Sequence, residues 1–135
     1  MNSSILLLFG CIFLIISLIL AWIVTLTKHI KVAIFTKIFV SDSHLLKSHL
    51  DFLLMGILLI MFSMLKVEIY SFIIISVITG SFMNPISFLV LSIKPHINKS
   101  PTSIFGIYSS VSYILTTVGY VGICLKLIYM GTFIK

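Results

Sequence analysis

Four long apolar runs, separated by short stretches that carry lysine, constrain this chain more than any other feature. They cover about residues 5–27, 50–65, 69–93 and 104–132, against the roughly 20 residues that a helix needs to cross about 30 Å of hydrocarbon. The chain has 135 residues, of which 60% are hydrophobic and only 9% charged, where a soluble domain carries roughly 25% charged residues. A soluble core of this size cannot hide so much apolar surface, so lipid is the solvent the sequence implies. The strict alternation of a membrane β-barrel is absent, as are an internal repeat and a linker. The expected fold is therefore all-α: an integral membrane four-helix bundle, antiparallel and up-down, forming one transmembrane domain over residues 1–135. Its helices are expected at about 5–27, 43–66, 69–93 and 101–132. The first run is expected to be a retained helix, not a signal peptide. "MNSS" has no basic residue, and the apolar part exceeds the usual ~7–15 residues.

Charge sets an expected orientation and excludes one class of partner. All nine basic residues are lysines, and the net charge of +6 is scattered over short loops, which is no nucleic-acid footprint. Lys28, Lys31, Lys37 and Lys47 lie between the first two runs, and Lys94 and Lys99 between the last two. Lys66, Lys126 and Lys135 belong to the other side. Positive-inside counting places the first and third loops in the cytoplasm and both termini outside, in a bacterial inner membrane. Cys11 and Cys124 fall inside apolar runs with no CxxC pattern, and are expected as small buried residues rather than a disulfide framework.

The loops carry their own signals. "KHIKVAIFTKIFV" interleaves lysine with Ile, Val and Phe, so it either extends the first helix or lies along the interface. "SDSH" offers Ser41, Asp42 or Ser43 as a cap for the second helix. "SPTS" offers Ser100 as a cap with Pro101 at the first helical position of the fourth.

The polar residues within the runs are the candidate chemistry. Leu50–Leu65 alone reaches only about 24 Å as a helix, so this span must draw in Asp51, His49 and Lys47, putting them at or just inside the membrane boundary. His49 and Asp51 stand about 200° apart around a helix. Asp51 lies on the Lys47 side, where an ion pair is available. His49 shares a face with Gly56 and Ser63. It reads either as an interfacial histidine over a small-residue packing stripe, or as a metal or haem ligand or acid–base group. In "GSFMNPISF", Ser76, Gly80 and Asn84 share a face, and Pro85 is expected to kink the third helix. Asn84 either bonds across helices or contacts a substrate or cofactor. On the fourth helix, Tyr113, Thr116, Tyr120 and Cys124 share a face, and buried phenols want partners. Tyr108 reads as an interfacial anchor. Asn84, Tyr113 and Tyr120 are the candidate catalytic residues, and with His49 they are expected to line one interior cavity.

At these residues the chain resembles the small four-helix membrane proteins that include styrene-oxide isomerase and hydroxylaminobenzene mutase. The resemblance covers length, helix number, a basic first loop and the second helix. In that family the second helix opens with His, an acidic residue two later, then Asn-Gly. "HLDFLLMG" supplies His49, Asp51 and Gly56, with Met55 in place of the Asn. The family's Gly-Thr-Tyr-x-Asn run is matched by Gly80, Ser81 and Asn84, with Phe82 in place of the phenol. The resemblance implies a haem-dependent isomerase or mutase of epoxide-like or hydroxylamine-like apolar substrates. It implies that His49 is the axial, metal-binding ligand of a b-type haem (haem b) in a cofactor site that includes Gly56. It further implies that ferric iron acts as a Lewis acid. Two other classes stay open: a non-catalytic membrane subunit or assembly protein, and a small transporter component. The only charges in the runs are Asp51 and Lys126, each near an end of its run, and there is no inverted repeat, which argues against transport. Expected partners are the lipid bilayer, further copies of the chain in a homo-oligomer and an apolar small molecule, with no nucleic acid.

Overall fold

The computed structural model describes residues 2–65 and 68–133. Every regular element among them is helical: α1 (Asn2–Lys28), α2 (Ala33–Ile38), α3 (Asp42–Met64), α4 (Ser71–Ile93) and α5 (Ile104–Phe133). The four long helices are each long and apolar enough to cross a membrane, and the chain is an all-α integral membrane bundle. Lys66 and Lys135, which enter the expected orientation, lie outside the described residues.

The first loop neither extends α1 nor stays irregular. The amides of His29 and Ile30 both turn back to the carbonyl of Thr25, and Lys31 adopts a φ of 56°. This left-handed conformation stops a helix of L-residues. α2 follows as a separate short helix with no buried residue. Its Ile34 and Ile38 face outward together with Lys37, the composition of an interfacial segment.

Two capping expectations need correction. Ser41 does precede α3, but its side chain makes no capping bond. Its hydroxyl instead meets His44 Nδ1 at 2.7 Å and Ser43 Oγ at 3.3 Å. α5 begins at Ile104, later than Ser100 and Pro101 suggest, and the Ser103 hydroxyl accepts the Gly106 amide at 3.0 Å. Ser103 fills the same chemical role a few residues on, leaving Ser100 and Pro101 in the turn.

α3 packs on α1 and α4, and α4 packs on α5. Without a hydrophobic drive in lipid, helices associate by close packing or by polar bonds between them. The α1–α3 seam uses close packing. A Cβ on Gly10 would lie 3.0 Å from the Gly56 carbonyl oxygen and 2.7 Å from Ile60 Cγ1. The α4–α5 seam does the same: a Cβ on Gly119 would lie 2.5 Å from Val77 Cα, and one on Gly80 would collide with the backbone of Thr116. Between the seams, Phe13 and Phe52 are buried with ring centres 5.7 Å apart, and Phe82 stacks on Phe13 at 6.0 Å.

Cys11 and Cys124 are both exposed, contrary to expectation. In a membrane protein an apolar neighbourhood is as much the outer face as the inner one, so hydropathy does not tell inside from outside. Tyr108 is likewise not only an anchor, because its hydroxyl donates to the Met83 carbonyl on α4 at 3.1 Å. α4 runs through Pro85 as one helix.

Candidate functional site

α3 carries its polar residues deeper than its apolar run suggests. The helix begins at Asp42 and ends at Met64, so Asp51 sits nine residues from one end and thirteen from the other. At 1.5 Å per residue that is about 13 Å and 20 Å. Asp51 is therefore in the middle of the span rather than at its boundary.

Its partner is also different from the one expected. Asn84 Nδ2 donates to the Asp51 carboxylate across the α3–α4 seam. Lys47 is exposed, and Asp51 makes no ion pair with it. Helical spacing allows the Lys47 contact, but an exposed pair gains little, whereas a carboxylate turned toward α4 is costly without a donor. Asn84 is the fourteenth of the 23 residues of α4 counted from Ser71, so both members of the pair lie mid-helix. One turn before Phe52, the buried Ser48 hydroxyl donates to the Pro85 carbonyl at 2.9 Å. The two bonds together stitch α3 to α4.

His49 faces the other way, onto α1. Its Nδ1 lies 2.9 Å from the Ser17 carbonyl oxygen and 3.0 Å from Ser17 Oγ. Ser17 Oγ in turn donates to the His49 carbonyl at 3.1 Å. A carbonyl can only accept, so Nδ1 carries the hydrogen, and in the neutral ring Nε2 then presents a lone pair. Gly10 and Gly56 bring the backbones together seven residues away on each helix, about two turns, which puts a main-chain oxygen of α1 within reach of the ring. Gly56 itself is buried in that crossing, with its Cβ position 3.1 Å from Leu14. It serves the seam that supports His49.

Tyr120 is an inner residue. Its hydroxyl lies 3.0 Å from Ser81 Oγ and 3.0 Å from Met55 Sδ, and its ring packs on Phe62 at 5.7 Å. Ser112, also on α5, is fully buried, and its Oγ has no hydrogen-bond partner. The register that opposes Gly80 to Thr116 carries Ser112 to the level of Asn84 one turn on. Tyr113 is 56% exposed and borders a crevice of about 250 Å³ with Lys99, Ser109 and Ser110.

The expected single cavity is thus divided. Asn84 joins Asp51, Tyr120 joins Ser81 and Met55, His49 joins Ser17, and Tyr113 faces outward. His49 and Tyr113 are apart from the rest, whereas Tyr120 stays near the Asp51–Asn84 pair, because Met55 and Ser81 lie about one turn from Asp51 and Asn84. Phe13, Phe52 and Phe82 cluster in the interior. Ser17 and Ser48 carry little signal in the sequence: Ser17 is the only hydroxyl in the apolar run before Thr25, and Ser48 is one more serine beside His49. Among the described residues no group of three or more His, Cys, Asp or Glu is placed to hold a metal ion, while a single axial imidazole needs no such group.

Fold and site define the class: a small all-α integral membrane protein with a polar seam at mid-span. No protein-family model, curated protein or solved structure matches the chain.

Proposed function

We propose that the protein is a membrane-embedded isomerase or mutase of apolar epoxide-like or hydroxylamine-like substrates, with His49 as the axial ligand of a b-type haem. The observation that carries this reading is the 2.9 Å contact between His49 Nδ1 and the Ser17 carbonyl oxygen. Metal-binding histidines characteristically donate their second ring N–H to such an oxygen, which fixes the tautomer and raises the basicity of the ligating nitrogen. The donor set therefore fits a group held by one imidazole. When bound, haem supplies a Lewis acid. The chain's own residues divide the work: Ser17 fixes the imidazole on the α1 side of α3, while Asp51, Asn84 and Tyr120 offer polar contacts on its α4 side, to a substrate that reaches across the bundle. Tyr113 reaches a substrate only where another copy covers its face, so a catalytic part for it goes with a homo-oligomer.

The proposed setting is a bacterial inner membrane, with both termini outside and the α1–α3 and α4–α5 loops in the cytoplasm. Reporter fusions after residue 40 and at the C-terminus test this orientation. A cytoplasmic C-terminal reporter with an external first loop would reverse it.

The activity test uses full-length protein purified in detergent after haem-replete expression. It is supplied separately with an apolar aryl epoxide and an aryl hydroxylamine. Rearrangement of either to its isomer, lost in His49→Ala, is the expected result. Conversion of neither by haem-loaded protein would leave the second reading, a non-catalytic membrane subunit. The glycine-lined seams and phenylalanine-filled interior favour that reading.

A further inference from the structure

A groove of about 660 Å³ runs between the start of α4 and the last third of α5. Its lining includes the apolar Ile73, Gly122 and Leu125 together with Tyr70 and Lys126. Lys126 is the only charged residue in α5. It lies 22 residues after Ile104, or about 33 Å along the helix, which places its ammonium beyond about 30 Å of hydrocarbon and in the headgroup layer. Tyr70, immediately before α4, lies at the same end. The ammonium sits 5.2 Å from the centre of the Tyr70 ring. Among the described residues it has no carboxylate within ion-pair reach, Glu68 of the adjoining loop included.

A cation at headgroup depth that meets an aromatic face but no carboxylate among the described residues, beside an apolar trough, is complementary to one kind of molecule. We propose that this groove binds an anionic phospholipid, with the phosphate against Lys126 and an acyl chain along Ile73, Gly122 and Leu125. Gly122 lets α5 close onto Ile73 beneath the groove, its Cβ position being already 3.0 Å from Ile73 Cδ1. Basic pockets between membrane helices recognise anionic headgroups in this way. A zwitterionic lipid brings its own cation to the same place and gains less. A soluble anion makes no use of the trough. The proposal is independent of haem and of catalysis.

The test is native mass spectrometry of the full chain in detergent, titrated separately with phosphatidylglycerol, phosphatidylcholine and inorganic phosphate. The unaltered protein should retain phosphatidylglycerol in preference to phosphatidylcholine. Lys126→Gln should weaken that retention about fivefold, the factor expected for one lysine near an anionic surface, while Lys126→Arg keeps it. Inorganic phosphate should not displace the lipid. Equal retention of both lipids by the unaltered protein, undiminished phosphatidylglycerol binding by Lys126→Gln, or displacement by phosphate alone would each overturn the assignment.

Discussion

The two seams that hold α3 differ in that only the α1 side has glycines bringing the backbones together. Against α1, α3 is held by backbone approach at Gly10 and Gly56, supplemented by the Ser17–His49 bonds two turns away. Against α4 it is held by side-chain hydrogen bonds, Ser48 to the Pro85 carbonyl and Asn84 to Asp51. α4 and α5 combine backbone approach at Gly80 and Gly119 with side-chain bonds, Ser81 with Tyr120 and the Tyr108 hydroxyl to the Met83 carbonyl. The molecule is thus two glycine-packed helix pairs joined by a polar seam. Steric seams tolerate no added volume but need no particular chemistry. A polar seam tolerates changes of shape but demands partners, because an unmatched group in hydrocarbon has no water to fall back on.

This contrast can be broken most sharply at Gly80. Gly80→Leu must displace the α5 backbone, and a loss of about 3 kcal/mol, the upper end of ordinary overpacking, is expected in thermal unfolding in detergent. A variant as stable as the parent would mean that α4 and α5 are not closely packed. The next largest effect is at the polar seam. Asn84→Leu leaves the Asp51 carboxylate without its donor and should cost about 1–3 kcal/mol, with membrane insertion unchanged or eased. Adding Asp51→Leu should recover much of that loss, and a double-mutant cycle measures the coupling. Strict additivity would show that the two side chains do not meet.

Tyr120→Phe removes one hydroxyl shared between Ser81 and Met55, and a loss of about 1 kcal/mol is expected. The smallest effect belongs to Tyr113→Phe on the outer face, within about 0.5 kcal/mol. A larger loss, together with a smaller oligomer by size-exclusion chromatography with light scattering, would place that face in contact with another copy.

The helices were legible because length and hydropathy are local properties. Partners were not. The i,i+4 spacing identifies Lys47 as a residue that Asp51 can reach, but the choice between it and Asn84, 33 positions away, depends on how α3 turns toward α4. Asn84 was readable as a group that bonds across helices, whereas its acceptor was not. The Ser17–His49 contact spans 32 positions, and only the lone hydroxyl in an apolar run hinted at it. Tyr113 and Tyr120 share a face by spacing, yet one is outward and the other inner, because a shared stripe of this width straddles the edge of a helix contact. Ser103 does not stand out as a cap in the sequence because Ser100 followed by Pro101 satisfies the same local rule.

The most direct test of the account is the absorption spectrum of detergent-purified protein after haem-replete expression, taken for the unaltered chain, His49→Ala and Asp51→Asn. A stoichiometric Soret band is expected in the first, its loss or strong shift in His49→Ala, and near-identity with the unaltered chain in Asp51→Asn, since Asp51 faces α4 and His49 faces α1. Alanine at His29, His44 or His96 should leave the band in place. A band retained in full by His49→Ala, or no haem in the unaltered protein, would contradict the assignment of His49 as the axial ligand.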